Sequence, residues 1–200
     1  MQNEEIEVVF TEIEVDNIEK QLKKIGAKKV EDIFYKIAVF DYPDLRLEKN
    51  YSWIRLRSRG DKITLTYKER QGANLGGNNK TSGNEDLGMK EIEIQVNDFE
   101  QAKQFLLNVG LVVKLEQDKK RIRWQKDDVT FDIDFWPMLK PYLEIESDSI
   151  EKIDLAIEEL GLDIEKKRVI NNWEIYKEQG INLGEYKTMK FDEQVKKSNV

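Results

Sequence analysis

Residues 119–136 read KKRIRWQKDDVTFDIDFW, and this stretch decides the fold. Ile122 and Trp124 alternate with charged residues before the turn at 126–128, and Ile133 and Phe135 alternate with charged residues after it. A period of two is typical of a β-strand, because successive side chains point to opposite faces. The stretch therefore predicts two strands joined as an antiparallel hairpin, with one apolar face and one charged face.

The same period recurs along the chain and predicts about eight strands, at residues 4–10, 29–42, 51–59, 62–70, 89–96, 112–125, 129–136 and 142–147. Three segments with helical period lie between them. Each is expected to start at an aspartate cap and to stop at a glycine: Asp16 to Gly26, Asp98 to Gly110, and Asp148 to Gly161. The pattern predicts the α+β class, with a largely antiparallel sheet flanked by helices.

Length and composition favour one domain, which we place at residues 1–180. Residues 181–200 have weak periodicity and are expected to form a C-terminal tail, partly disordered. Residues 71–87 are rich in Gly and Asn and predict a mobile hairpin tip. A lid over a site and a loop without function are both open for that segment.

The composition excludes several classes of chemistry. The chain contains no Cys and no His, which rules out disulfides, the usual zinc sites and catalysis by Ser-His-Asp or Cys-His groups. The net charge of −7 argues against nucleic acid as a partner. The N-terminus lacks the apolar run of a signal peptide, and no stretch is apolar enough for a bilayer. We expect a cytoplasmic protein with no membrane partner.

Like-charged residues are spaced two apart on six predicted strands. Such residues lie about 6.5–7 Å apart on one face of a strand and repel each other. For any single pair, a sheet face in contact with water is the simpler interpretation. The recurrence instead favours closure of the sheet into a barrel with a charged lumen. The pairs are Glu5/Glu7, Arg55/Arg57, Glu91/Glu93, Arg121/Arg123, Asp132/Asp134 and Glu144/Glu146.

A lumen with both signs of charge suits a polyanion and a metal ion. Guanidinium and ammonium groups match the oxygens of a triphosphate, and the candidates are Arg55, Arg57, Lys68, Lys119, Arg121 and Arg123. Without Cys or His, a metal must be held by oxygen, which suits Mg²⁺ or Mn²⁺. The candidate metal ligands are Glu5, Glu7, Asp134, Glu144 and Glu146.

These motifs resemble the CYTH or triphosphate tunnel metalloenzyme superfamily over about residues 4–180. The resemblance rests on Glu5-Ile-Glu7, WIRLR with Arg55 and Arg57, TLTYK ending at Lys68, KEIEI, KKRIR, DID and YLEIE, in that order. It implies an eight-stranded antiparallel tunnel flanked by helices. It also implies that the candidate metal ligands face a bound metal ion. The candidate basic residues would then bind the phosphates.

The resemblance is closest to class IV adenylyl cyclase-like proteins, which convert ATP to cyclic AMP and pyrophosphate. Lys68, Glu91 and Arg121 are the candidate catalytic residues. An organic or inorganic triphosphatase is an alternative. A third is a non-catalytic triphosphate-binding module, because Val9 stands where the family pattern has lysine. Val9 either removes a positive group from the site or makes an apolar contact at the barrel end. A homodimer is left open.

Overall fold

The computed structural model describes residues 6–70 and 89–197. The predicted hairpin tip at 71–87 and the candidate ligand Glu5 lie outside these residues. The chain divides into two compact units. Within the described residues, unit 1 comprises 6–34 and 119–185, and unit 2 comprises 35–70, 89–118 and 186–197.

Unit 1 is a layer of antiparallel strands covered by helices. It contains β1 (Ile6–Phe10), β7 (Val129–Phe135), β8 (Tyr142–Ser147), α1 (Val15–Lys24), α4 (Ile150–Leu160) and α5 (Asn172–Glu178), with the start of β2 (Lys28–Asp41) and the end of β6 (Val112–Lys126). The strand order is β1-β8-β7-β6. Apolar residues of these strands, such as Val8, Ile133 and Leu143, pack against Leu22 of α1 and Ile157 of α4.

Unit 2 repeats this arrangement with other strands. It contains β3 (Ser52–Ser58), β4 (Ile63–Arg70), β5 (Met89–Val96), β9 (Tyr186–Met189), β10 (Gln194–Lys196), α2 (Arg46–Lys49) and α3 (Phe99–Asn108), with the rest of β2 and β6. The antiparallel order is β2-β3-β4-β5, and β9 pairs with β6 in parallel. Leu56 of β3 and Leu106 of α3 belong to its apolar core.

The helix boundaries follow the predicted stops more closely than the predicted caps. Gly26, Gly110 and Gly161 all have positive φ, which suits glycine just after a helix. Asp98 caps α3 as predicted by accepting a hydrogen bond from the Gln101 amide at 2.7 Å. The other two caps are Glu14 and Ser149. Asp16 instead lies in the first turn of α1, where its charge still favours the positive end of the helix dipole.

The predicted class and the largely antiparallel sheet with flanking helices are confirmed, whereas closure of the sheet into a barrel is not. Among the described residues, β1 pairs only with β8, apart from one bridge between Val9 and Arg168, and β5 pairs only with β4. Both are therefore edge strands. The described chain forms ten strands where the sequence predicts about eight, since β9 and β10 are added.

The segment that the sequence sets apart as a tail is regular over Leu183–Lys196, which contains a short 3₁₀ helix, β9 and β10. Tyr186, Thr188 and Met189 are buried there. Thr188 and Met189 pair with β6, a partner distant in sequence that periodicity within the segment does not reveal. No helix in residues 6–70 and 89–197 is both long and apolar enough to cross a membrane.

Candidate functional site

The charged face of unit 1 is built by strand register. Arg121 lies opposite Asp134, and Arg123 lies opposite Asp132, across β6 and β7. Asp132 in turn lies opposite Glu144 across β7 and β8. Directly opposite residues of an antiparallel pair have side chains on the same face, so these charges meet. The alternating apolar residues of the same strands enter the core on the other face.

Arg121 is the hub of this face. Its Nε and Nη2 donate to the two carboxylate oxygens of Asp134 at 2.6 Å each. The same guanidinium also forms ion pairs with Asp132 and Glu144. Arg123 completes the row by donating to Asp132 from Nε at 2.7 Å and from Nη2 at 2.6 Å. One guanidinium thus links carboxylates on two strands, and bidentate geometry is the strongest form of this contact.

Lys119 and Asp134 are buried together. The Lys119 Nζ lies 2.6 Å from Asp134 Oδ2, and its side chain is only 13% exposed. Burial disfavours both charges, and it lowers the pKa of Lys119. For Asp134, burial is outweighed by Lys119 and Arg121, which hold the pKa of this carboxyl below its ordinary value. Asp134 is therefore an ionised group whose oxygens are already engaged by two cations.

Glu7 and Glu144 form a different kind of pair. Their carboxyl groups lie close enough to interact electrostatically, and burial is the largest influence on the pKa of each. Burial, with the charges of Asp134 and Glu7, raises the pKa of Glu144 to about 8, against the attraction of Lys119 and Arg121. Burial also raises the pKa of Glu7. The nearby cations Lys119 and Arg121 therefore do not fully offset the burial of these two carboxyl groups.

Val9 ends the charged face with an apolar contact. It lies opposite Glu144 in register, yet it is 1% exposed and packs with Tyr142 and Ile175 of α5. Its backbone exchanges two hydrogen bonds with Arg168, at 2.8 and 3.1 Å. Of the two roles left open by the sequence, the structure therefore gives the apolar contact.

The charged face of unit 2 is a grid on β3, β4 and β5. Arg57 lies opposite Thr64, Arg55 opposite Thr66, and Trp53 opposite Lys68. In the next strand, Gln95, Glu93 and Glu91 continue the three rows. Thr66 Oγ1 donates to Glu93 at 3.0 Å, and Lys68 Nζ lies 2.8 Å from Glu91. Leu56 points the other way, into the core beneath α3.

Arg55 differs from the arginines of unit 1 because its polar contacts are incomplete. Its Nε–H is buried and has no hydrogen-bond acceptor within the described residues, and the same is true of the Thr64 hydroxyl. Burial and the neighbouring charge of Arg57 lower the pKa of Arg55, while Glu91 and Glu93 oppose this. A buried donor left unpaired costs about 1–3 kcal/mol, so this face favours an added acceptor.

The predicted site residues fall into two clusters, one in each unit. Unit 1 holds Glu7, Lys119, Arg121, Arg123, Asp134, Glu144 and Glu146, and unit 2 holds Arg55, Arg57, Lys68 and Glu91. Lys68 and Glu91 meet as an ion pair, whereas Arg121 lies in the other unit. Throughout the described part of the chain, no three acidic side chains form a ready-made metal cage.

Sequence reasoning missed the two threonines of β4 and understated Asp132. Thr64 and Thr66 are buried on the charged face of unit 2, and the alternation in ITLTYK already places them on the same face as Lys68. Asp132 is 1% exposed and forms ion pairs with both Arg121 and Arg123. Its importance comes from register, which the sequence does not state.

A family model and several known proteins match the chain. The CYTH domain model matches residues 3–171. The chain belongs to the CYTH family. Among curated proteins, it is 27% identical to "Putative adenylate cyclase MJ0240" of Methanocaldococcus jannaschii over 174 residues, which cover 83% of this chain and 93% of that protein.

Solved CYTH-like structures have the same fold. The PH1012 protein of Pyrococcus horikoshii OT3 superposes with a TM-score of 0.62 at 22% identity, covering 86% of this chain and 98% of that one. The putative adenylyl cyclase HpAC1 from Hippeastrum, described as having a dominant triphosphatase activity, gives a TM-score of 0.59 at 13% identity, covering 90% and 96%. At these identities the likeness shows the fold alone.

The raised pKa of Glu144 makes stability depend on pH. The folded protein keeps a proton that the unfolded chain releases above about pH 4.5, so the free energy of unfolding should fall between about pH 4.5 and 8. The Glu144→Gln variant has no titrating group at this position, so it lacks this pH-dependent contribution to the free energy of unfolding. The stability of wild type relative to the variant should therefore decrease by a few kcal/mol over that range. Urea unfolding in chelator at pH 5, 6.5 and 8 measures it, with Glu151→Gln on α4 as control. A constant difference would contradict the assignment.

Val9→Lys should destabilise unit 1, because it places an ammonium among apolar side chains. We expect a loss on the order of 3 kcal/mol in the free energy of unfolding. Val169→Lys is the matched control: Val169 is 82% exposed, and its loss should stay within about 0.5 kcal/mol. Chemical denaturation compares the two variants. Equal stabilities would mean that Val9 is not buried as described.

Proposed function

We propose that the protein is a metal-dependent enzyme that acts on a triphosphate, with the class IV adenylyl cyclase reaction as the leading assignment. The observation that carries the proposal is the buried Arg55 Nε–H beside Arg57, which, like the Thr64 hydroxyl, has no hydrogen-bond partner among residues 6–70 and 89–197. Unsatisfied donors on a cationic face match the oxygens of a phosphate chain. Membership of the CYTH family supports the same substrate class.

The binding role of unit 2 follows from its charges. Arg57 lies over the Tyr35 ring at 5.6 Å, which leaves the guanidinium edge for hydrogen bonds. Arg55 next to it is poorly compensated within the described residues, so an anion would satisfy its Nε–H and favour its charge. Lys68 is already paired with Glu91 and contributes a further positive group at the same face. We assign Arg55, Arg57 and Lys68 to phosphate binding.

The carboxylates of unit 1 fit a hard divalent cation. Burial raises the pKa of both Glu7 and Glu144, and a cation would favour their ionised forms, which would supply oxygen ligands. Mg²⁺ in proteins is usually bound by one or two carboxylates together with substrate phosphates, so a pair suffices. Glu146, opposite Glu7 in register, and Asp134 are the neighbouring candidates. A bound Mg²⁺ or Mn²⁺ would neutralise phosphate charge.

Lys119, Arg121 and Arg123 have a second role in this proposal. Each forms an ion pair with Asp132, Asp134 or Glu144. Positive charge brought to these carboxylates would weaken those ion pairs and leave N–H donors for phosphate oxygens. We therefore assign Lys119, Arg121 and Arg123 to charge stabilisation during the reaction, with Arg121 as the central group.

Two reactions are compatible with these groups. The cyclase assignment is supported by the likeness to the M. jannaschii protein over most of both chains. In that reaction the ribose 3′-oxygen attacks the α-phosphorus, and pyrophosphate leaves. A triphosphatase is the second candidate, since the groups of both clusters are cations, carboxylates and hydroxyls, which address phosphate and metal rather than a base. The neighbour HpAC1 has a dominant triphosphatase activity.

Product analysis tests the assignment. Incubation of the protein with ATP and Mn²⁺ or Mg²⁺ should yield cyclic AMP and pyrophosphate, and removal of the metal with EDTA should abolish turnover. Orthophosphate from ATP, tripolyphosphate or thiamine triphosphate would establish the triphosphatase instead. Glu144→Gln should lower metal-dependent turnover by about 100-fold, because it removes one anionic ligand. Triphosphate binding without any product would indicate a non-catalytic triphosphate-binding module.

Arg55→Ala should weaken binding of tripolyphosphate by about 10–100-fold, the range expected for a lost hydrogen bond to a charged group. Arg55→Lys keeps the charge without the Nε–H and should fall in between. Arg46→Ala is the matched control, since Arg46 carries the same charge in unit 2 but is exposed and paired with Asp44. Calorimetry at fixed ionic strength measures all three. Equal affinities for Arg55→Ala and Arg46→Ala would refute the phosphate assignment in unit 2.

A further inference from the structure

Trp136 lies at the border of the charged face of unit 1 and contacts Lys119. The Lys119 Nζ is 4.8 Å from the centre of the Trp136 ring. The same ammonium is 2.6 Å from Asp134 Oδ2. An ammonium over the face of tryptophan is attracted by the ring quadrupole, most strongly where water is excluded. Lys119 is thus held from two sides, by a carboxylate and by a ring.

The orientation of the Trp136 ring is fixed by its own neighbours. Its indole N–H donates to the Tyr142 hydroxyl at 2.7 Å, and Tyr142 is 1% exposed. Trp136 also packs against the cluster of Val9, Tyr142 and Ile175. The Tyr176 hydroxyl donates to the carbonyl of Pro137, the next residue, at 2.7 Å. These contacts to β1, β8 and α5 leave the ring few other positions.

The ring contact matters for Lys119 because its carboxylate partner, Asp134, is shared with another cation. Asp134 also accepts two hydrogen bonds from Arg121. A lysine side chain is flexible, and a buried ammonium with one shared carboxylate is only partly compensated. A cation that binds Asp134, or a phosphate that binds Lys119, would weaken the ion pair between these two residues. The Trp136 ring would still contact the ammonium.

We propose that Trp136 is a positioning residue, whose ring holds the Lys119 ammonium at the charged face while Tyr142 holds the ring. This inference rests on the proposed function for its effect on substrate, since Lys119 is assigned there to phosphate. The contact itself involves only side chains of this protein. It can therefore be measured separately from binding.

The first test uses the ligand-free protein and NMR. The ring current of Trp136 should shift the ε-methylene protons of Lys119 upfield, with the resonance assigned by comparison with Lys119→Met. Trp136→Leu should remove the upfield shift, and Tyr142→Phe should reduce it because the indole loses its acceptor. A Lys119 resonance at the usual lysine position in the wild type would overturn the inference and leave the proposed function intact.

The second test is a double-mutant cycle on the binding of inorganic tripolyphosphate with Mn²⁺. We expect Trp136→Leu to weaken binding about tenfold and Trp136→Phe about threefold. This order follows because the attraction for a cation is strongest for tryptophan, weaker for phenylalanine and absent for leucine. In a Lys119→Met background, Trp136→Leu should cost less than twofold more. Trp173→Leu, an exposed tryptophan of α5, is the control and should stay within about twofold of wild type.

The outcomes of the cycle are distinct. Strong coupling between Trp136 and Lys119 supports the inference. Equal losses from Trp136→Leu in both backgrounds would mean that the ring acts only through the fold, which overturns it. If Lys119→Met binds tripolyphosphate as the wild type does, the phosphate role of Lys119 fails. In that case Trp136 cannot affect triphosphate binding through Lys119, even if NMR detects the contact between the two side chains.

Discussion

The Arg121 guanidinium contacts Asp132, Asp134 and Glu144, and the charged face of unit 1 depends on this set of ion pairs. Buried carboxylates without partners would be costly, and a sheet face with several of them would not pack. One delocalised guanidinium with five donors can satisfy three acceptors at once, which a lysine cannot do with the same geometry. The cation thereby joins β6, β7 and β8 from the charged side, while the apolar residues join them from the other.

The two clusters differ in how far their charges are compensated. In the unit 1 cluster Lys119, Arg121 and Arg123 each have a carboxylate partner, whereas Glu7 and Glu144 have raised pKa values and are incompletely compensated. In unit 2 the surplus is positive, at Arg55, whose Nε–H has no acceptor in the described part of the chain. A cation would relieve the first imbalance and an anion the second. Each imbalance by itself is the physical basis of the role proposed for its own cluster.

Val9 shows how a departure from a family pattern acquires meaning from packing. A valine in place of a lysine suggests a lost positive charge, and with it a lost activity. In the structure this position is filled by an apolar cluster that includes Tyr142 and Ile175 of α5, and Trp136 packs against it. Trp136 in turn contacts the Lys119 ammonium. The apolar residue thus supports the ring beside a neighbouring cation.

The sequence by itself determined the α+β class, the antiparallel strands and which residues share a face, because alternation and helix periods are local properties of the chain. It also predicted candidate site residues by type, with the pairs at Arg55/Arg57 and Asp132/Asp134. It could not choose their partners. Three features all depend on register between distant strands: Arg121 joins three carboxylates, Arg55 has a donor without an acceptor among the described residues, and β9 pairs with β6. Only tertiary structure decides these contacts, since they arise where separate strands are brought side by side.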